Sequence, residues 1–375
     1  MGEVLGGRYE LVDPLGEGGA GVVWRAWDHR EHRYVAAKVM RQSDAHSLLR
    51  FVREQAVRIG HPHVLTPLGW VGEDDRVLLT MPIVDGGSVA TLVGDHGPLP
   101  PTWVATLLDQ LLAALERIHA EGLVHRDVKP ANLLLDATGT GLPRARLADF
   151  GIAAAVDQPR LTQVAHVVGT VGYAAPETLS PGWDPDPRAD LYAAGMTAAE
   201  MLLGERPGEA QGARVGVGRA APAPVADLTR DPVADLTRDL VRAHVPTPLL
   251  SVVLDLAAPD PHDRYPDAGA ARAALRGTGL VADASSWDAG EVEVFDHVPP
   301  LPEGWGQSGP APAPASEPGP GPEPRRGASA ASTRAELLPA VEPAPRPAAV
   351  SRTGVLLLVL GLLLIGAAVL VGLLA

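Results

Sequence analysis

The 375 residues, 46% apolar and 20% charged, supply one large or two ordinary domains with surplus. A formal net charge of −14 argues against nucleic acid as a general partner, because phosphate binding needs a basic face. With no cysteine, the chain has no disulfide framework, thiolate metal site or cysteine nucleophile, which fits a reducing compartment.

Residues 1–9 lack an apolar run of signal-peptide length, so export of the amino terminus is not expected. From Arg8 a strand pattern leads into Leu15, Gly16, Glu17, Gly18, Gly19, Ala20, Gly21, Val22 and Val23, a G-x-G-x-x-G-x-V run. Glycines between two strands let backbone N–H groups approach phosphate oxygens with no Cβ in the way. A dinucleotide-binding turn would need a helix straight after the last glycine, whereas Val22, Val23, Trp24 and Trp27 are strand formers. A phosphate-covering hairpin is therefore favoured.

Tyr34 to Val39 is a short apolar strand, Ala36 included, interrupted by Lys38, whose charge needs a partner unless it lies on an exposed edge. Ser47 to Ile59 has apolar residues at largely helical intervals and stops at Gly60 and Pro62. Glu54, inside that helix, can pair with Lys38 or, four residues on, with Arg58. Strands are expected at Val64 to Val71 and Arg76 to Met81, completing a five-stranded small lobe. The linker that follows, Met81 to Gly87, offers the Pro82 carbonyl to an adenine amine and the Val84 N–H to the ring.

Pro101 to Ala120 carries Val104, Leu107, Leu108, Leu111, Leu112, Leu115 and Ile118 on one stripe, with Gly122 beyond its end: a core helix with no assigned chemistry. His125 to Asn132 then reads H-R-D-V-K-P-A-N. An aspartate that accepts a hydroxyl proton and an asparagine that holds a metal belong on one rigid loop, and Asp127 and Asn132 meet that need. A plain polar turn is the competing reading of that stretch alone. Asp149 opens D-F-G after a short apolar strand and supplies a second metal-binding carboxylate. A-P-E ends at Glu177, a buried helix runs from Asp190 to Leu203, and Glu177 and Arg264 form a plausible ion pair.

Each motif is weak alone, but their order and spacing together are demanding. From about Tyr9 to Arg276 the chain resembles eukaryotic-like bacterial Ser/Thr protein kinases of the membrane-anchored type. The resemblance implies an α+β, two-lobed protein kinase-like fold: a small lobe of antiparallel strands with one helix, and a mostly helical large lobe, over residues 8–276. It implies ATP between the lobes, with Mg2+ or Mn2+ at Asn132 and Asp149. Asp127 is then the base, and Lys38, held by Glu54, contacts the phosphates. Lys129 resembles the lysine of Ser/Thr kinases that touches the transferred phosphate, and Thr170 their substrate-pocket threonine. Arg126 suggests a pocket for a phosphorylated activation-loop threonine, with Thr162 as the candidate. The implied function is phosphorylation of protein Ser/Thr hydroxyls in cytoplasmic signalling at the membrane, with autophosphorylation. A nucleotide-binding pseudokinase scaffold is the alternative, disfavoured by intact Lys38, Asp127, Asn132 and Asp149; a small-molecule phosphotransferase of the same fold is disfavoured by Lys129 and the Thr170 to Glu177 segment.

The resemblance weakens after Gly204. Residues 224–231 and 232–239 both read P-V-A-D-L-T-R-D, a repeat too short for a solenoid and expected in a solvated loop. Residues 277–353 turn to proline, alanine, glycine and glutamate and read as disordered linker, with an apolar island at 292–305 that either binds a partner or folds back on the domain. Residues 354–375 are an uncharged Leu, Val, Gly and Ala run of about 33 Å as a helix, enough for a hydrocarbon core of about 30 Å. Arg346 and Arg352 before it place the preceding chain in the cytoplasm. The expectation is a single-pass cell-membrane protein with a C-terminal anchor, a lipid membrane as partner, no extracellular sensor, and tethering that favours a homodimer and phosphorylation between neighbours.

Overall fold

In the computed structural model, described here for residues 2–18, 21–41, 59–73, 76–149, 172–180, 182–206, 232–288 and 290–311, the strand-forming first part of the chain makes one antiparallel sheet. Its strands are β1 (Val4–Leu5), β2 (Tyr9–Gly18), β3 (Gly21–Asp28), β4 (Arg33–Arg41), β5 (Gly69–Glu73) and β6 (Arg76–Met81), in the order β1-β2-β3-β4-β6-β5. The sheet has one strand more than expected, because Val4 and Leu5 pair with Glu10 and Tyr9 and bury Leu5. Side chains alternate across a strand. Val35 and Ala37 of β4 therefore join Leu5, Tyr9, Leu11, Ala26 and Leu78 in the small-lobe core, with Val39 packed against it, while Ala36 and Lys38 point to the opposite face.

The expected strand at 64–71 is corrected: only Gly69 onward joins the sheet. Pro67 has no N–H to give a ladder. The residues before it pair elsewhere, Leu65 donating to Leu147 O at 2.9 Å and Leu147 to His63 O at 2.9 Å. The helix expected at 47–59 lies outside the described residues except for Ile59, which is buried.

The large lobe contains α1 (Val89–His96), α2 (Pro101–Ala120), β7 (Leu133–Leu135), β8 (Ala145–Leu147), α3 (Arg188–Leu203), α4 (Pro232–Arg242), α5 (Thr247–Leu256) and α6 (Ala268–Gly277). Helix α2 has the expected bounds and is covered nearly all round; Leu107, Leu108, Leu111, Leu112 and Leu115 are all fully buried. Truncating any of them to alanine costs about 2–5 kcal/mol. Two of its three buried polar side chains brace other elements. Asp109 receives Arg272 at 3.0 Å and Arg276 at 2.7 Å from α6. Gln110 accepts the Ala145 N–H and donates to Pro143 O, both at 2.7 Å, fixing the approach to β8.

Two further expectations change. The second octapeptide copy is the start of α4 and not a solvated loop: Leu236 and Leu240, four residues apart, enter the large-lobe core, while Asp235 and Arg238 pair on the outside at 2.6 Å. The first copy lies outside the described residues. The linker expected from 277 is also displaced, since Val292 and Val294 are buried in the same core and the chain stays on the domain through β9 (Trp305–Gly306) and β10 (Gly309–Pro310). Residues 312–353 and the apolar run 354–375 lie outside the described residues, among which no helix is long and apolar enough to cross a membrane.

Candidate active site

The site is built on the β7–β8 ribbon. Leu133 to Leu135 pair with Leu147 to Ala145, and the Ala148 N–H donates to Asn132 O at 2.8 Å, so the Asn132 and Asp149 ends of the two strands meet. The loop before β7 is anchored by Val128, which is 1% exposed. Asp127 accepts Lys129 Nζ on both carboxylate oxygens at 2.9 Å, and Asn132 Nδ2 donates to Asp127 Oδ2 at 2.8 Å and to its carbonyl at 2.7 Å. Two neighbours on the same loop thus hold the Asp127 carboxylate in place.

What holds the loop is Asp190, in the first turn of α3 and 1% exposed. It accepts the His125 N–H at 2.7 Å, the Arg126 N–H at 2.8 Å and His119 Nε2 at 2.8 Å. Those bonds keep Arg126 at φ +66°, a left-handed conformation uncommon for a side chain with a Cβ; Asp149 has φ +52°. His125 is wholly buried, with Nε2 donating to Ala148 O at 3.1 Å and Nδ1 accepting the Asp127 N–H at 3.3 Å. This pattern selects the neutral Nε2–H tautomer, and burial pushes the imidazole pKa down in agreement. Burial also lowers the Arg126 guanidinium, with Asp190 opposing that effect.

Above this floor, the sheet face opposite the small-lobe core supplies the roof. Gly16 pairs with Val23, Val23 with Lys38, and Ala36 with Met81 at the end of β6. Those registers bring the glycine hairpin, with Leu15 and Val22, alongside Lys38, Ala36 and the linker carrying Pro82 and Val84. Glu17 and Gly18 close β2. Roof and floor meet where Lys38 Nζ donates to Asp149 Oδ2 at 2.8 Å. Gly19, Ala20, Glu54, Thr162 and Thr170 lie outside the described residues. The ion pair expected at the end of A-P-E is present: Arg264, its side chain fully buried, binds Glu177 through two bonds of 2.7 and 2.8 Å.

The family profile described as protein kinase domain matches residues 9–265. The chain belongs to the protein kinase domain family. Among its relatives, this kinase domain is 38% identical over 219 residues to the serine/threonine-protein kinase PkaA of Streptomyces coelicolor, covering 54% of this chain and 40% of the relative. It is 37% identical over 223 residues to PknA of Mycobacterium tuberculosis (57% and 51%) and 38% identical over 214 residues to PknB of Mycobacterium leprae (54% and 33%). The matched region spans about half or less of these curated relatives.

Protein kinases use ATP and a divalent metal, and the residues present fit both. Asn132 spends its amide nitrogen on Asp127, which directs its carbonyl oxygen away as a hard donor, and Asp149 adds carboxylate oxygens at the meeting ends of β7 and β8. His119 and Gln110 were not singled out in the sequence. Each lies on the helix that carries the apolar stripe but off the stripe itself, and polarity is its only sequence signal.

Proposed function

We propose that this kinase domain is an active protein Ser/Thr kinase that transfers the γ-phosphate of ATP to protein hydroxyls. The observation that carries the reading is the Lys38–Asp149 ion pair together with an Asp127 carboxylate already fixed by Lys129 and Asn132. In this reading Asp127 orients the incoming hydroxyl and accepts its proton as the new oxygen–phosphorus bond forms and the bond to the ADP oxygen breaks. Lys129, bonded to Asp127, neutralises charge on the transferred group, and Lys38 steadies the phosphates nearer the adenosine. Asn132 and Asp149 would hold Mg2+ or Mn2+, which would neutralise phosphate charge and draw electrons from the leaving oxygen. The names of the relatives, all serine/threonine-protein kinases, support a Ser/Thr substrate class over a scaffold without activity.

The wider reading rests on sequence. The uncharged run at 354–375 would anchor the protein in the cell membrane with the kinase domain cytoplasmic, and crowding there would favour a homodimer that phosphorylates Thr162 in trans. A phosphate on Thr162 would pair with Arg126.

Purified full-length protein with labelled ATP, Mg2+ and a generic basic protein should label both itself and the substrate on serine or threonine. Labelled phosphotyrosine, or nucleotide binding without transfer, would overturn the assignment. For the anchor, full-length protein should sediment with membranes and a chain ending at residue 353 should not; soluble full-length protein would refute it.

A further inference from the structure

The chain after α6 climbs the outside of the domain from one lobe to the other. On the large lobe, Trp287 packs edge-on against Trp103 of α2 with ring centroids 4.7 Å apart, and its indole N–H donates to Thr140 O at 3.0 Å. Gly139 and Val294 exchange both backbone hydrogen bonds, at 3.0 and 2.9 Å. At the linker between the lobes, the His297 N–H donates to Asp85 O at 2.7 Å, and Phe295 stacks on His96 of α1. On the small lobe, Pro300 O accepts Arg25 Nη2 of β3 at 3.1 Å, and Tyr34 OH of β4 donates to Gly306 O at 2.6 Å.

The domain makes room for this passage at both ends. A Cβ at Gly86 in the linker would fall 2.6 Å from Val294 Cγ1 and 2.6 Å from Leu135 O. At the top, Gly309 has φ +101°, and a Cβ there would fall 2.6 Å from Cε2 of the Trp27 ring. At separations this short a side chain would force its neighbours to shift. Both glycines are thus matched to the strap, one on each side of the contact.

We infer that residues 278–311 are a strap of the catalytic domain that crosses the linker and limits how far the two lobes separate. A segment fixed to both bodies shortens the range of a hinge whose natural motions run on microseconds to milliseconds. The restraint lies beyond the family match, which ends at residue 265, so it is a property of this chain's own tail. The angle between the lobes then responds to whatever holds or displaces residues 300–311.

The absence of cysteine allows two to be introduced and spin-labelled without background. Arg30→Cys, in the turn between β3 and β4, and Arg242→Cys, at the end of α4, place labels on side chains 75% and 70% exposed, one on each lobe. In the otherwise native full-length chain, electron–electron resonance should give a narrow distance distribution. Adding Gly309→Val should raise hydrogen exchange at residues 300–311 by about tenfold or more and widen the distribution toward longer distances. Unchanged exchange would show that the Trp27 contact does not hold the strap, and faster exchange with an unchanged distribution would show that the strap does not restrain the lobes; either overturns the inference. If Gly309→Val fails to fold, Tyr34→Phe combined with Trp305→Ala loosens the same upper anchor and is read the same way. Neither readout requires phosphotransfer, so this test stands apart from the kinase assignment.

Discussion

Asp190 accepts the backbone N–H of Arg126 at 2.8 Å, and Arg126 is held left-handed at φ +66° beside Asp127. A buried carboxylate with three donors on it is therefore what shapes the catalytic loop. Asp190→Asn replaces an acceptor oxygen with a donor and leaves at least one of those N–H groups without a partner. The expected cost is about 1–3 kcal/mol of stability, and the relaxed loop should lower turnover about a hundredfold with little change in nucleotide KM. Calorimetry and steady-state kinetics on the same preparation check both; wild-type turnover in the variant would contradict this account.

Asp127→Asn keeps the loop's shape and removes the proposed base. Turnover should fall about a hundredfold to ten-thousandfold while nucleotide affinity, measured by calorimetric titration, stays nearly the same. Lys38→Met should also be inactive, because it frees Asp149 from its 2.8 Å partner. Equal phosphorylation by the Asp127→Asn protein would sink the role given to Asp127.

Arg264 uses all of its N–H groups: on Glu177 twice, and on the carbonyls of Ala258, Pro259 and Arg188. Lysine has no planar fork and cannot reproduce that set. Arg264→Lys should cost about 3–5 kcal/mol, because it leaves the half-buried Glu177 carboxylate and several carbonyls poorly paired. Urea unfolding measures it, and a loss below about 1 kcal/mol would mean that this buried pair contributes little.

Three histidines, His61, His63 and His125, have pKa values lowered chiefly by burial. Each binds its proton more readily unfolded, at about 6.5, than folded. Their contribution is therefore complete above that value and declines as pH falls through the depressed folded values. Carboxylates titrate mainly below about pH 4.5, so the interval from 7.5 to 5.5 isolates the imidazoles. The melting temperature should drop across that interval; a flat profile would show that they are not held neutral.

Motif residues were legible in the sequence because their chemistry is local. H-R-D-V-K-P-A-N places Asp127, Lys129 and Asn132 within hydrogen-bonding reach on a single loop. Helix α2 was legible to its ends because a long apolar stripe closes with Gly122. The second octapeptide reads as a loop because the repeat itself shows no helical period, and the four-residue spacing of Leu236 to Leu240, just past its end, gains meaning only from their burial.

What the sequence by itself determined was the family and the order of its motifs, fixed by side-chain type and short spacing; the reacting groups proposed here come from the same motifs. Tertiary structure decided where chemically ambiguous segments go. Val64 and Leu65 read as a strand of the sheet, but the Val64 N–H turns back to His61 O and the Leu65 N–H goes to Leu147 O of β8, and Asp190 becomes the catalytic loop's anchor only when α3 packs beneath it. Residues 290–311, rich in proline and glycine, are too sparse in apolar groups to order themselves. They are ordered because Val292 and Val294 find a core already formed, and because Trp27, Tyr34 and Arg25 offer partners on the other lobe, contacts far apart in the chain that no local pattern encodes.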